Sequence, residues 1–309
     1  MAITTTPLDV PKYVQALFKD LLFGAETIEK GLVQVVPMAR NKINMDRFTA
    51  STGNLTARVA TPTTAADALT KDEKTLTMAE VMFYDEFDPK TFNVEPEYLR
   101  TIGPTVDAQA AVVLLNAIRD KVVESFNYDL ENLMWNGDTA SGDAWLDPID
   151  GFVKLIDADG TVNSVTPAGA VTATNVIAIL EATLQAVPNV VKKKTGFKFL
   201  TNHTILELYK QAARALDYKG TNITEAIANR YGGYLIESVD KIPANRIFAG
   251  NFVNAEAGEL KVGVWSDADK YNVKIERLQA NSDLFFIKIN TEVGVQHVWG
   301  KQIAEYSPA

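Results

Sequence analysis

An α+β fold is what this sequence predicts, and three observations predict it. Between Thr105 and Met134 apolar residues recur in steps of three and four over roughly thirty positions, which marks one long amphipathic helix. From Phe285 to Trp299 they alternate with period two, which marks one long strand with a buried face. Between these elements short helical and strand patterns take turns, so both kinds share one unit.

Taken in order, the chain begins with apolar residues at helical spacing between Pro11 and Val36: Val14, Leu17, Phe18, Leu21, Leu22, Ile28 and Leu32. This predicts one or two short packing helices. Residues 46–75 are different in kind. They hold eight threonines and only four large apolar side chains, Phe48, Leu55, Val59 and Leu69. Such a stretch buries too little surface to offset its own ordering entropy. It is flanked by the β-like runs KINMDRF and TLTMAEVMFYDEF, so the expectation is an extended hairpin-like arm that a neighbouring subunit orders.

The long helix has a start at Pro104–Thr105, with Asp107 near its positive end, and a stop at WNG, where Gly137 suits the left-handed position after a helix. Thirty residues at 1.5 Å each give a rod of about 45 Å. In the middle, TNVIAILEATLQAVP (174–188) reads as a helix with a threonine cap and a proline stop. FKFLTN reads as a strand and TILELYKQAARALD (204–217) as a second amphipathic helix. Short strands follow at YLIES, RIFAG, KVGVW and NVKIERL. The closing strand puts Phe285, Ile287, Ile289, Thr291, Val293, Val295, His297 and Trp299 on one face. Its length matches that of the long helix, so the helix is expected to lie along a sheet of long strands.

Composition narrows the function. The 309 residues are 47% apolar and 22% charged, which excludes wholesale disorder. A formal charge of −9 opposes a role in coating nucleic acid, which depends on Lys and Arg displacing counterions. With no cysteine, disulfides and thiolate chemistry are excluded, which suits a reducing cytoplasm. The N-terminus has no basic start and apolar core of a secretion signal, and the most apolar run, AQAAVVLLNAI, is about half a membrane span.

The chemical motifs dissolve on inspection. Residues 128–152 carry Asp129, Glu131, Asp138, Asp143, Asp147 and Asp150, but these fall on a helix end and on NGD, SGD and DPIDG turns, where Asp mimics the backbone. DADG (157–160) opens like a calcium loop, yet the twelfth position is Ala168 rather than Glu. His203 lies at a strand-to-helix junction, and His297 reads as a hydrogen-bonded core residue. VKKKTGFK reads as a solvated turn or an inter-subunit contact. No phosphate loop or dinucleotide fingerprint is present. No catalytic, cofactor-binding or metal residue is expected, and a structural or binding role remains.

The order of elements then resembles a known family: an arm, a polar β excursion, a very long helix, a mixed middle and a very long closing strand. FNYDLENLMWNGDTASGDAWLDPIDGFVKLI, GGYLIESVDKIPANRIFAGNF and FFIKINTEVGVQHVWGKQIAEY are similar to segments of the major capsid proteins of tailed bacteriophages with the HK97 fold. The resemblance implies an N-terminal arm (1–42), an extended loop (43–92), a peripheral domain with the spine helix (93–148), an axial domain (149–270) and the long C-terminal strands of the peripheral domain (271–309). It implies self-assembly into hexamers and pentamers of an icosahedral head enclosing double-stranded DNA without sequence-specific binding.

Implied partners are a scaffolding protein, a portal and decoration proteins. The implied place is the virion, after assembly in the host bacterial cytoplasm and with no membrane contact. Phe48, Leu55, Arg58, Val59 and Leu69 are the inter-subunit contacts this implies. Some relatives carry an N-terminal scaffolding domain, removed by proteolysis. Here only about forty residues precede the excursion, so either a separate scaffold acts or that part is already gone, and the initial Met favours the first. Some relatives join subunits through Lys–Asn bonds. Lys71, Lys74 and Lys90 lie in or beside the excursion, and Asn281 and Asn290 lie near the C-terminus, but no motif pairs them. The rival readings are an encapsulin-like compartment shell and a small α+β hydrolase using the acidic stretch.

Overall fold

A computed structural model of the chain describes residues 24–37, 42–50, 58, 69–87, 107–215, 229–264, 274–278 and 284–308. Helix α1 is Glu26–Glu29, followed by strand β1, Gln34–Pro37. Strands β2 (Lys42–Ala50), β3 (Leu69–Thr77) and β4 (Ala79–Phe87) precede the long helix α2, Asp107–Asn136. Then come α3 (Phe152–Ala158), β5 (Asn163–Val165), α4 (Val176–Ala186), α5 (Asn189–Lys192), β6 (Phe197–Thr201) and α6 (His203–Ala215). The remaining strands are β7 (Arg230–Tyr231), β8 (Tyr234–Ser238), β9 (Ile247–Asn251), β10 (Leu260–Val264), β11 (Lys274–Arg277), β12 (Phe285–His297) and β13 (Ala304–Tyr306).

The long strand organises the first sheet. Residues 285–293 of β12 pair antiparallel with β4 and 285–288 with β11, residues 293–297 pair antiparallel with β10, and β10 runs parallel to β1. Thirteen residues of strand span about 43 Å, close to the roughly 45 Å of α2. The two lie together as expected. Val122, Phe126, Leu130, Leu133 and Met134 share one core with Ile287, Ile289, Val293 and Val295. The Phe126 and Phe83 rings meet edge to face, 6.2 Å apart.

The second sheet runs β5-β13-β9-β6-β8-β7. Both its faces are covered, because successive side chains of a strand point to opposite sides. Ile247 and Ala249 face the core under α4 and α6, while Phe248 between them joins the core of the long helix. Trp135, fully buried at the end of α2, sits between Phe152 and Phe248, with centroids 5.3 and 5.8 Å away.

Three details differ from the sequence reading. The helical spacing read through Val36 gives way to β1 from Gln34, because β10 offers a parallel edge there; the earlier part of that segment lies outside the described residues. Gly137 does not take a left-handed conformation. It is required by close approach: a Cβ there would stand 2.4 Å from the Ile149 carbonyl oxygen, and Gly151 closes on the same point. Helix α4 starts after Asn175 rather than at a threonine cap. Strand β10 belongs to the first sheet and the C-terminal β13 to the second.

Candidate assembly surface

Strands β2 and β3 pair over nine residues each, from Lys42 opposite Thr77 to Ala50 opposite Leu69, and form a two-stranded sheet of their own. The expected hairpin is therefore present, and its second strand begins inside the threonine-rich stretch. Met78 then separates β3 from β4, and β4 joins β12 instead.

The two faces of this ribbon differ. Residues opposite one another share a face, so Ile43, Leu76, Met45, Lys74, Arg47 and Asp72 form one face and Asn44, Thr75, Asp46, Glu73, Phe48 and Lys71 the other. The first face is moored. Ile43 and Met45 pack on buried Leu76 and Met78. Lys74 Nζ reaches Asp159 at 2.6 Å and His297 Nε2 at 2.5 Å. Arg47 donates to the Val298 carbonyl at 3.1 Å and stands 5.5 Å from the Trp299 ring centre. The second face is open. It carries the exposed pairs Lys71–Asp46 and Lys71–Glu73, which contribute little in water.

At the far end of the open side lie Phe48 and Leu69, 57% and 64% exposed. An isolated two-stranded ribbon is marginal in water, and two large apolar side chains left at its far end give it a surface to bury. Of the five contact residues predicted from sequence, Phe48 and Leu69 thus come together on one ribbon. Arg58 is exposed. Leu55 and Val59 lie outside the described residues, as do Lys90 and Asn281.

A second apolar surface was not singled out from the sequence. Between β4 and α2 runs a groove of about 530 Å³ lined by Val81, Phe83, Phe126, Leu130, Leu133 and Trp145 among others. Trp145, 77% exposed, and Met82 and Tyr84 stand at or beside it. The signal was available: TLTMAEVMFYDEF has apolar residues on both faces of β4, so one set had to remain outside the core.

The acidic stretch does not converge. Asp138 and Asp150 share Lys154, at 2.5 and 2.6 Å. Asp147 accepts from the Ser141 hydroxyl and the Gly142 N–H, and Asp143 accepts from the Trp145 N–H. These are the turn contacts expected. Glu131 is the exception: it is buried and accepts from the Thr27 N–H at 3.1 Å, the Thr27 hydroxyl and Trp135 Nε1 at 3.0 Å. Burial pushes its carboxyl up, against the pull of those donors. It ties the N-terminal segment to the long helix.

The DADG acids likewise go separate ways, Asp157 to Arg246 and Asp159 to Lys74 and His297. His297 is a hydrogen-bonded core residue, as read from its place on the strand; burial, then the Lys74 charge, lowers its pKa to about 4. His203 is exposed, 3.5 Å from Glu26. Among the described residues no cluster of three or more His, Asp or Glu side chains is placed to hold a metal, and no helix is long and apolar enough to cross a membrane.

No protein-family model and no curated protein sequence matches the chain. Solved structures do. The satellite phage P4 procapsid structure, which includes the size determination protein, contains a chain matched with a TM-score of 0.63 at 12% identity over 99% of this chain and 92% of that one. The capsid of a native GTA particle matches with a TM-score of 0.58 at 14% identity over 92% and 90%. A virus-like particle from Pyrococcus furiosus matches with a TM-score of 0.54 at 13% identity over 97% and 100%.

Proposed function

We propose that this chain, which has the HK97-like capsid fold shared with those shells, is a phage-type major capsid protein: a structural subunit that assembles into the hexamers and pentamers of an icosahedral head around double-stranded DNA. It performs no catalysis. In this reading its partners are further copies of itself, a scaffolding protein, a portal and decoration proteins, and it assembles in the host cytoplasm to reside in the virion.

The observation that carries the reading is the β2–β3 ribbon, moored to the body on one face and presenting Phe48 and Leu69 on the other. Burying two such side chains at about 25 cal/mol per Å² contributes a few kcal/mol per contact, repeated at every copy of a closed lattice. The groove beside Trp145 is an apolar surface of matching character on the next subunit. The acidic charge fits a wall that encloses DNA without gripping it.

Electron microscopy of the overexpressed chain, with its scaffold where one is required, tests the reading. Closed shells containing DNA in the infected host are expected. Shells that carry protein cargo and no genome would favour the compartment-shell alternative. A monomer under all these conditions would end both.

A further inference from the structure

Two chain passages link the sheets, residues 252–259 between β9 and β10 and residues 298–303 between β12 and β13, and Glu259 joins them. Its N–H donates to the Asn251 carbonyl at 3.0 Å, and its carbonyl accepts from the Val298 N–H at 2.8 Å. The side chain is wholly buried. One carboxyl oxygen lies 3.3 Å from Lys194 Nζ; the other is buried without a hydrogen bond of good geometry, the Trp299 N–H being the backbone donor that acts on the carboxyl. Lys194 makes its shorter bond, 2.5 Å, to Gln302 of the neighbouring passage. An ionised carboxylate is poorly compensated here, and a buried charge without full pairing is costly.

We propose that Glu259 is a proton-operated catch between the two sheets: protonated, it lets the two passages pack closely, and its ionisation loosens them. The inference stands whatever the chain assembles into. The charged groups around it come from every adjoining element. Lys194 lies in the turn after α5, Lys261 on β10 and Lys74 on β3, with the Trp299 N–H in the second passage. Lys74 is already engaged by Asp159 and His297, and Lys261 by Gln34.

Burial raises the Glu259 pKa to about 7, against the pull of Lys194, the Trp299 N–H and Lys261. The folded junction therefore holds its proton where an opened one, near the ordinary Glu value of about 4.3, has lost it. Closure weakens as pH rises from that value to about 7, then levels off. Glu305 on β13 is also raised, by burial and by the neighbouring Asp157 against the pull of Arg246, and is the group to be separated from it.

Hydrogen exchange by mass spectrometry on the full chain at pH 6 and 8, corrected for intrinsic exchange, reads this directly. Opening of peptides covering 252–259 and 298–303 should rise about tenfold across that interval. Glu259→Gln should abolish the rise, and Glu305→Gln should leave it in place. Lys194→Met should carry the rise beyond pH 8, because the carboxylate loses its nearest cation; this arm decides the matter if Glu259→Gln does not fold. A Glu259→Gln profile that follows the wild type, or an unmoved Lys194→Met profile, would overturn the proposal.

Discussion

The β2–β3 ribbon and the second sheet are built from the same chain on opposite terms. Every residue of β9 is buried, with Phe248 on one core and Ile247 and Ala249 on the other. The ribbon has a core of its own made of little more than Leu76, Met78, Ile43 and Met45, all near its root. Beyond that it is held by ions, and its distal apolar side chains face water. The second sheet completes its packing within one molecule, and the ribbon does not. Substitutions in the sheet should therefore register in the stability of a single chain, and substitutions at the ribbon tip only when copies meet.

The sheet side of the comparison gives the largest effect. Trp135→Ala empties a site between Phe152 and Phe248 and removes the indole N–H that Thr27 and Glu131 share. It should cost about 3–5 kcal/mol in urea denaturation. Next is the mooring of the ribbon. Asp159→Asn removes the anion shared by Lys74 and His297 and should cost about 3 kcal/mol at neutral pH, since it leaves a half-buried lysine uncompensated.

Its pH signature has a definite sign. Burial would raise the Asp159 pKa, but the bonds from Lys74, Thr161 and His297 outweigh burial and hold it well below the usual carboxylate range. A depressed acid contributes stability above its unfolded value of about 3.9 and loses it as pH falls further. Asp159→Asn should flatten that acid limb. His297, lowered to about 4, charges more readily unfolded than folded, so wild-type stability should already be declining between about pH 6.5 and 4. His297→Gln should remove that part, leaving the opposite trend from Glu259.

Smaller again is Thr27→Val, which takes a hydroxyl from the Glu131–Trp135 pair. About 1–2 kcal/mol in the same denaturation assay is expected.

Much of this was legible in the sequence, for reasons that differ by element. The long helix and β12 are legible because apolar residues repeat along one face of each, and the described part of that face, Val122 to Met134 and Ile287 to Val295, lies in one core. The ribbon was read from its flanks, and its second strand extended further than its composition suggested because β2 supplies a partner for every residue of LTKDEKTLT. Pairing between distant segments left no local mark. Nothing in GLVQVVP points to β10 more than 220 residues later, so the segment reads as helix from sequence alone. The buried acids Glu131, Glu259 and Glu305 were equally silent, because burial of a charge depends on a partner brought by the fold, such as Thr27, Lys194 or Arg246.

The central claim is that the ribbon tip finds its partner in another copy, and a paired measurement on Phe48→Ser/Leu69→Ser tests it most directly. Urea denaturation of the isolated subunit should agree with the wild type within about 0.5 kcal/mol, as for exposed positions generally. Sedimentation velocity under assembly conditions should show shells for the wild type and only small species for the double variant. Shells formed by the double variant as readily as by the wild type would contradict the account.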